Sequence, residues 1–215
     1  MDKKIEKALL DLEEKIKYFS LLDIGFIQKK SSPFNVSDRI LHCQKCPLSL
    51  TRKNAVPGEG NINADLMFVG EAPGRDEDIQ GRPFVGKAGQ LLTKIINAMK
   101  FTREEVYITN VVKCRPPDNR TPNKDEINQC KEYLMEQIAM IKPKVIVSLG
   151  KVATDYFIPS KMGITSLRGQ FYEFNQIKIM PTFHPSYLLR NEGDKTRKKM
   201  VWEDMKKVMA FLETK

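Results

Sequence analysis

Cys43 and Cys46 enclose two residues in the string CQKC, and two further cysteines, Cys114 and Cys130, have fifteen residues between them. The first spacing is one that metal sites use. The second departs from the paired C-x-x-C of a zinc ribbon. Four thiolates at irregular separations suit either zinc or an iron–sulfur cluster, and spacing alone does not choose. Two buried thiols beside a chance C-x-x-C remain the plainer alternative. A bound metal would tie the segment before the first strand to the middle of a sheet. That is a structural staple, and nothing in the spacing demands redox work. Disulfides do not suit a reducing cytoplasm.

A second concentration of chemistry lies in GEAPGRDEDIQGRPFVG, residues 70–86, with four glycines, two prolines and four acids. Glycines let backbone approach a ligand closely, and prolines stiffen the turn. Carboxylates gathered this densely in a basic chain need a reason. Asn110 and His184, one of two histidines in the chain, complete the set. The other, His42 beside Cys43, has no comparable claim. Taken singly, an Asn at a strand end reads as a turn former and a His as a satisfied structural side chain.

These residues need elements to hold them. DLMFVG (65–70), VYITNVV (106–112), KVIVSLG (144–150) and QIKIMPTF (176–183) read as strands. AGQLLTKIINAMK (88–100) carries Leu91, Leu92, Ile95, Ile96 and Met99 on one helical side. Thr121-Pro122 reads as a cap and first residue of a helix running to about Ile141. A short helix is expected near 151–158 and a final one near 195–213. Strand–helix alternation predicts an α/β fold, a three-layer αβα sandwich around a central, mainly parallel four-stranded sheet. In such sheets ligands bind beyond the carboxyl ends of the strands. Glu71, Asn110, Gly150 and His184 stand at those ends, so an acid, an amide and an imidazole share one rim. The convergence carries more weight than any member.

The whole chain sets the class. Hydrophobic residues make up 41% of it, which excludes disorder and a membrane protein by composition. No apolar run approaches the ~20 residues of a bilayer span. The start, MDKKIEKALLDLEEK, mixes acids and bases and does not read as a secretory signal, so a cytoplasmic protein is expected. The formal charge is +9, with the excess mostly between 31 and 190, which suggests a polyanionic partner. Simple solubility would also use such a charge. Ile5, Leu9, Leu12, Ile16 and Phe19 mark an N-terminal helix, and QKKSSPFNVSD (28–38) reads as a linker. The expected division is an extension over 1–36 and an α/β domain over 37–215. The extension packs on the core or docks another protein.

GEAPGRDED, GRPFVGKAG, TNVVKCRPP and HPSYLLR, in that order and with the four cysteines, resemble the family 4 uracil-DNA glycosylases, the iron–sulfur members of the uracil-DNA glycosylase superfamily. The resemblance runs from about Leu41 to about Arg190. It implies a 4Fe-4S cluster on Cys43, Cys46, Cys114 and Cys130. It also implies a monofunctional enzyme that flips uracil out of DNA and hydrolyses its N-glycosidic bond, leaving an abasic site for base excision repair. No histidine-bearing basic insertion follows GRPFVG, and no lysine stands out as a Schiff-base nucleophile.

By the same resemblance, Phe84 stacks on uracil, although residue types alone read it equally as a core side chain. Asn110 reads the uracil edge. His184 donates toward O2, where charge grows as the base departs. Gly70 and Ala72 belong to the turn that lines the base, with Pro73 and Gly74 shaping it. Ala72 stands where a better-known member type carries an Asp, so the water-activating group does not transfer. Glu71 and Glu77 are the catalytic acids. Glu77 also suits a role beside uracil C5, excluding thymine. Asp76 and Asp78 read as turn caps. In HPSYLLR, Pro185 and Ser186 grip the DNA backbone, with Ser186 on a phosphate oxygen. Tyr187, Leu188 and Leu189 form an apolar wedge, and Arg190 meets phosphate. An amphipathic helix start is the alternative for this string. The expected partners are uracil-containing DNA and a replication or repair protein met through the N-terminal helix, with the chain a monomer and no membrane involved. A DNA-binding iron–sulfur module without catalysis, and a wider substrate range including hypoxanthine or xanthine, stay open.

Overall fold

The computed structural model describes residues 33–191 and 193–213. The expected helix over Ile5–Phe19, and with it the proposed docking of a partner, lies outside them.

The first helix among the described residues, α1 (Pro33–Leu41), begins inside the stretch read as a linker, 28–38, and runs past its end. Proline's fixed φ suits a first helical position, so Pro33 starts structure here and does not interrupt it. A short α2 (Leu48–Thr51) follows the CQKC string. Six strands then form one sheet: β1 (Glu59–Gly60), β2 (Leu66–Gly70), β3 (Tyr107–Asn110), β4 (Val145–Leu149), β5 (Tyr172–Phe174) and β6 (Ile177–Thr182), in the order β1-β3-β2-β4-β6-β5. The four expected strands are the parallel centre, β3-β2-β4-β6. The sheet gains two short antiparallel edges, β1 on β3 and β5 on β6.

The connecting helices are α3 (Arg75–Gln80), α4 (Lys87–Ala98), α5 (Lys124–Ile141), α6 (Lys151–Phe157), α7 (Ile164–Leu167), α8 (Pro185–Arg190) and α9 (Lys195–Glu213). The α5 cap is Asn123, not Thr121. Its side chain accepts the Glu126 N–H at 2.8 Å, and Glu126 accepts the Asn123 N–H at 2.8 Å. This reciprocal box satisfies two donors that a helix start leaves free, which a threonine two residues earlier cannot do.

Alternation along the strands sorts the core into two layers. Met67 and Val69 of β2 pack with Tyr133, Leu134 and Ile138 of α5, Ala153 and Phe157 of α6, and Val36 and Ile40 of α1. Leu66 and Phe68 pack with Leu92 and Ile96 of α4 and Val201, Met205 and Val208 of α9. Helices therefore cover both faces, as the αβα expectation requires. The carboxyl ends of β2, β3, β4 and β6 emerge along one edge. No helix among the described residues is long and apolar enough to cross a membrane.

Candidate active site and cysteine cavity

Gly70 and Asn110 are register partners at the ends of β2 and β3. A Cβ on Gly70 would lie 2.4 Å from Asn110 Oδ1 and 2.5 Å from Phe84 Cζ. Only glycine leaves room for the amide and the ring to meet over the strand end. The Phe84 ring also faces His184, with centroids 5.7 Å apart and planes inclined by 34°. The structure thus brings together the three residues that sequence reasoning assigned to one base. Asn110 is 1% exposed. Among the described residues, its Oδ1 is the one buried side-chain nitrogen or oxygen with no hydrogen-bond partner. Such an atom costs about 1–3 kcal/mol unless something fills it.

His184 caps α8. Its Nδ1 accepts the Ser186 N–H at 3.1 Å and lies 2.7 Å from Ser186 Oγ. A nitrogen that accepts a backbone N–H carries no proton, so the ring hydrogen sits on Nε2. Burial, aided by the charge of Arg190, lowers the imidazole pKa to about 4. The ring is neutral near pH 7, with one donor. Gly150, at φ 87°, lets the β4 end pass close beneath: a Cβ there would be 3.0 Å from His184 Cβ.

The acids of residues 70–86 divide. Glu77 Oε1 accepts the Val85 and Gly86 N–H groups, each at 2.9 Å, and Oε2 accepts the Gly74 N–H at 3.1 Å. Both oxygens are engaged by backbone, so Glu77 organises the loop that presents Phe84. That geometry does not match the sequence expectation of a catalytic acid beside the sugar. Asp78, 3% exposed, accepts the Lys53 N–H at 2.8 Å. It ties a different loop and does not cap its own turn. Glu71 follows β2 directly. Burial raises its carboxyl above the ordinary range, opposed by a hydrogen bond from Thr121 and the charge of Arg190. Ala72 is half-buried against the α5 face.

The HPSYLLR segment forms α8 itself. Leu188 is 2% exposed and belongs to the core, so it is no wedge; helical spacing turns it inward. Tyr187 is packed on Phe183, centroids 5.3 Å apart, beneath the Arg197 guanidinium. Leu189 is half-buried and Arg190 exposed, while Pro185 is buried. The Ser186 hydroxyl lies against the imidazole, on a half-buried residue.

On the α5 side of the sheet, Cys43, Cys46, Cys114 and Cys130 line a single cavity with Lys45, Arg52, Lys113 and Tyr133. Its wall holds those three basic side chains and no carboxylate, although burial lowers the Lys113 pKa to about 7. Arg52 Nη1 donates to Cys114 Sγ at 3.0 Å and Nη2 to the Leu41 carbonyl at 3.0 Å. The Lys45 N–H points at Cys43 Sγ, 3.5 Å away. Lys113 is 1% exposed. Its ammonium meets Thr109 Oγ1, the Asn110 carbonyl and Gln137 Oε1 at 2.6, 2.7 and 2.7 Å. Burial raises the Cys130 thiol to about 11. No group of three or more His, Cys, Asp or Glu among the described residues converges on one ion. The donor set nevertheless fits an anionic metal–thiolate centre, with four sulfurs, N–H donors aimed at two of them and a positive wall. Sequence reasoning missed Arg52 and Lys113. The signal for Lys113 was its position between Asn110 and Cys114.

A family model described as the uracil DNA glycosylase superfamily matches residues 57–206, from before β1 into α9. The chain belongs to the uracil-DNA glycosylase superfamily. Similar proteins include a type-4 uracil-DNA glycosylase of Thermotoga maritima, 49% identical over 83% of this chain and 93% of that one. Another is a type-4 uracil-DNA glycosylase of Saccharolobus solfataricus, 48% identical over 84% and 86%. A third, of Sulfurisphaera tokodaii, carries the same description at 48% identity over 83% and 84%. As a superfamily member the chain is a DNA glycosylase, a hydrolase of N-glycosyl bonds.

Proposed function

We infer that this glycosylase excises uracil from DNA without cutting the strand, by holding a flipped uracil against Phe84 at the rim of the sheet. The observation that carries the reading is the unpartnered Asn110 Oδ1, buried beside that ring. It accepts uracil N3–H while the amide nitrogen donates to O4. Cytosine presents the opposite pattern, and a buried polar mismatch is worth about 10⁴-fold in selectivity. Stacking on the ring adds roughly 1–3 kcal/mol. As the C1′–N1 bond breaks, its electron pair leaves with the base, and His184 Nε2–H donates to the O2 that gains charge. A water oxygen then bonds C1′ and releases a proton to solvent, from which the departed uracil anion is reprotonated, leaving an abasic sugar and neutral uracil. Glu71 is the acid we assign to orienting that water, because it directly follows the β2 end at the rim, while Glu77 and Asp78 are engaged by backbone N–H groups.

DNA is the macromolecular partner. Arg190 and the exposed part of α8 meet its backbone. Cys43, Cys46, Cys114 and Cys130 would hold a 4Fe-4S cluster, which would serve as a structural cross-link. The positive cavity wall supports this reading.

The test is a uracil-containing oligonucleotide incubated with the protein and then treated with alkali. Cleavage at the uracil is expected from the wild type and greatly reduced cleavage from Asn110→Ala and His184→Ala. No alkali-dependent cut by well-folded wild type, with uracil-independent binding, would refute the reading and favour a binding module.

A further inference from the structure

Phe84 is a bulky residue at φ 52°, in the left-handed region that such side chains avoid. Something must hold it there. From one side Glu77 grips the Val85 and Gly86 N–H groups. From beneath, α4 approaches so closely that a Cβ on Gly89 would lie 1.9 Å from the Phe84 carbonyl oxygen. From the other side comes a residue that no sequence motif marks, Arg103, in the connection between α4 and β3.

Arg103 Nη2 donates to the Pro83 carbonyl at 2.8 Å, and Nη1 donates to the Phe84 carbonyl at 3.1 Å. Nη1 also reaches Thr93 Oγ1 at 3.1 Å, while Nε and Nη2 both reach Glu59 Oε1. All five N–H groups of the guanidinium thereby have acceptors within the protein. Its side chain is 15% exposed. Nothing remains to offer a phosphate. Glu59 in turn is fixed by Arg82, whose Nε donates to Oε2 at 2.8 Å. It stands between Gly58 and Gly60, both at positive φ, and a Cβ on Gly60 would meet the Val106 carbonyl oxygen at 1.9 Å. The edge strand β1 therefore exists in a form that delivers one carboxylate to one guanidinium.

We propose that Arg103, anchored by Glu59, is a positioning residue that locks the Pro83–Phe84 backbone so that the phenyl ring is already presented to the base before uracil arrives. The proposal rests on the assignment of Phe84 as the stacking ring. A preset ring stacks equally on bound base and on departing base, so its loss weakens binding more than the chemical step. A lysine offers three donors from a single point and cannot span both carbonyls and Glu59.

The experiment measures kcat and KM on a uracil-containing oligonucleotide, competitive inhibition by free uracil, and Tm. The variants are Arg103→Ala, Arg103→Lys, Phe84→Ala and the Phe84→Ala/Arg103→Ala pair. Arg103→Ala is expected to raise KM and the inhibition constant together by about tenfold, with kcat within about threefold, and Arg103→Lys to restore only part. The double variant should be no worse for uracil than Phe84→Ala alone, since one residue acts through the other. A lower Tm with unchanged uracil inhibition, or additive losses in the pair, would overturn the proposal. If Phe84→Ala itself leaves uracil inhibition unchanged, the stacking assignment falls and the proposal with it. Should Arg103→Ala fail to fold, Glu59→Gln keeps the shape and removes the anchor. It should raise the inhibition constant about threefold, and no change there counts against the proposal.

Discussion

The cysteine cavity and the rim of the sheet lie only four residues apart in the chain, at Cys114 and at Asn110, the last residue of β3, yet they treat polar atoms oppositely. In the cavity every buried donor has an acceptor: the Lys113 ammonium meets three oxygens, and Arg52 bridges a sulfur and a carbonyl. At the rim one buried acceptor, Asn110 Oδ1, is left empty. A region that only holds the chain together can satisfy itself internally. A region that recognises something must withhold a partner until the ligand supplies it. Lys113 is where the two meet, because its ammonium belongs to the cavity wall and one of its acceptors is the backbone of the reading residue.

The difference can be broken most forcefully by trading chemistry against stability. His184→Ala should lower kcat about 10²–10³-fold, the worth of one preorganised donor, with Tm lowered only by the roughly 2–4 °C that one lost helix cap costs. Cys130→Ala should do the reverse, lowering Tm by several degrees while the folded fraction keeps single-turnover rates within about threefold. Single-turnover kinetics and thermal melts on the same preparations check both, and equal losses in both measurements for both variants would erase the distinction. Within α8, Leu188→Ala should cost about 2–5 kcal/mol of stability in urea unfolding, as a core truncation does, while Leu189→Ala should cost less than half of that.

Smaller effects sharpen the same contrast. Glu77→Gln places an amide N–H against the Gly74 N–H and should cost about 1–3 kcal/mol, with KM raised and kcat less affected. Titration gives the finest test. The folded-state pKa of His184, about 4, lies below the ordinary histidine value. The unfolded chain therefore binds the proton first as pH falls. Stability due to this group is complete above about pH 6.5 and is lost progressively between there and pH 4. Urea unfolding of wild type minus His184→Asn across pH 7 to 4 should show that slope. A flat difference would mean the imidazole is not held neutral by burial.

Much of this arrangement is legible in the sequence. The periodic helix α4 and the continuous apolar runs of β2 and β4 follow from spacing because burial dictates it, and α5 and α9 follow from the alternation of strands and helices. Placement of Glu71, Asn110 and His184 at strand ends follows from the alternation. What is not legible depends on partners distant in sequence. β1 has two residues and β5 three, too few for any pattern, and each exists because a neighbour offers a free edge. The roles of Glu77, Asp78 and Leu188 depend on which way a side chain turns once the backbone is set. Asn123 is the exception that was readable: asparagine with glutamate three residues later is the sign of a reciprocal cap, and the Thr-Pro just before it drew the reading instead. Arg103 carries no signal, since only the fold shows what its five donors meet.

The backbone amide lodged against Nδ1 of His184 makes the imidazole a one-way device. It can lend its single hydrogen to an oxygen, but it has no vacant lone pair with which to strip a proton from anything. On the proposed reading, water attack on the sugar therefore draws on another group, and the nucleobase departs still carrying its surplus electron density, to be neutralised only after it has left.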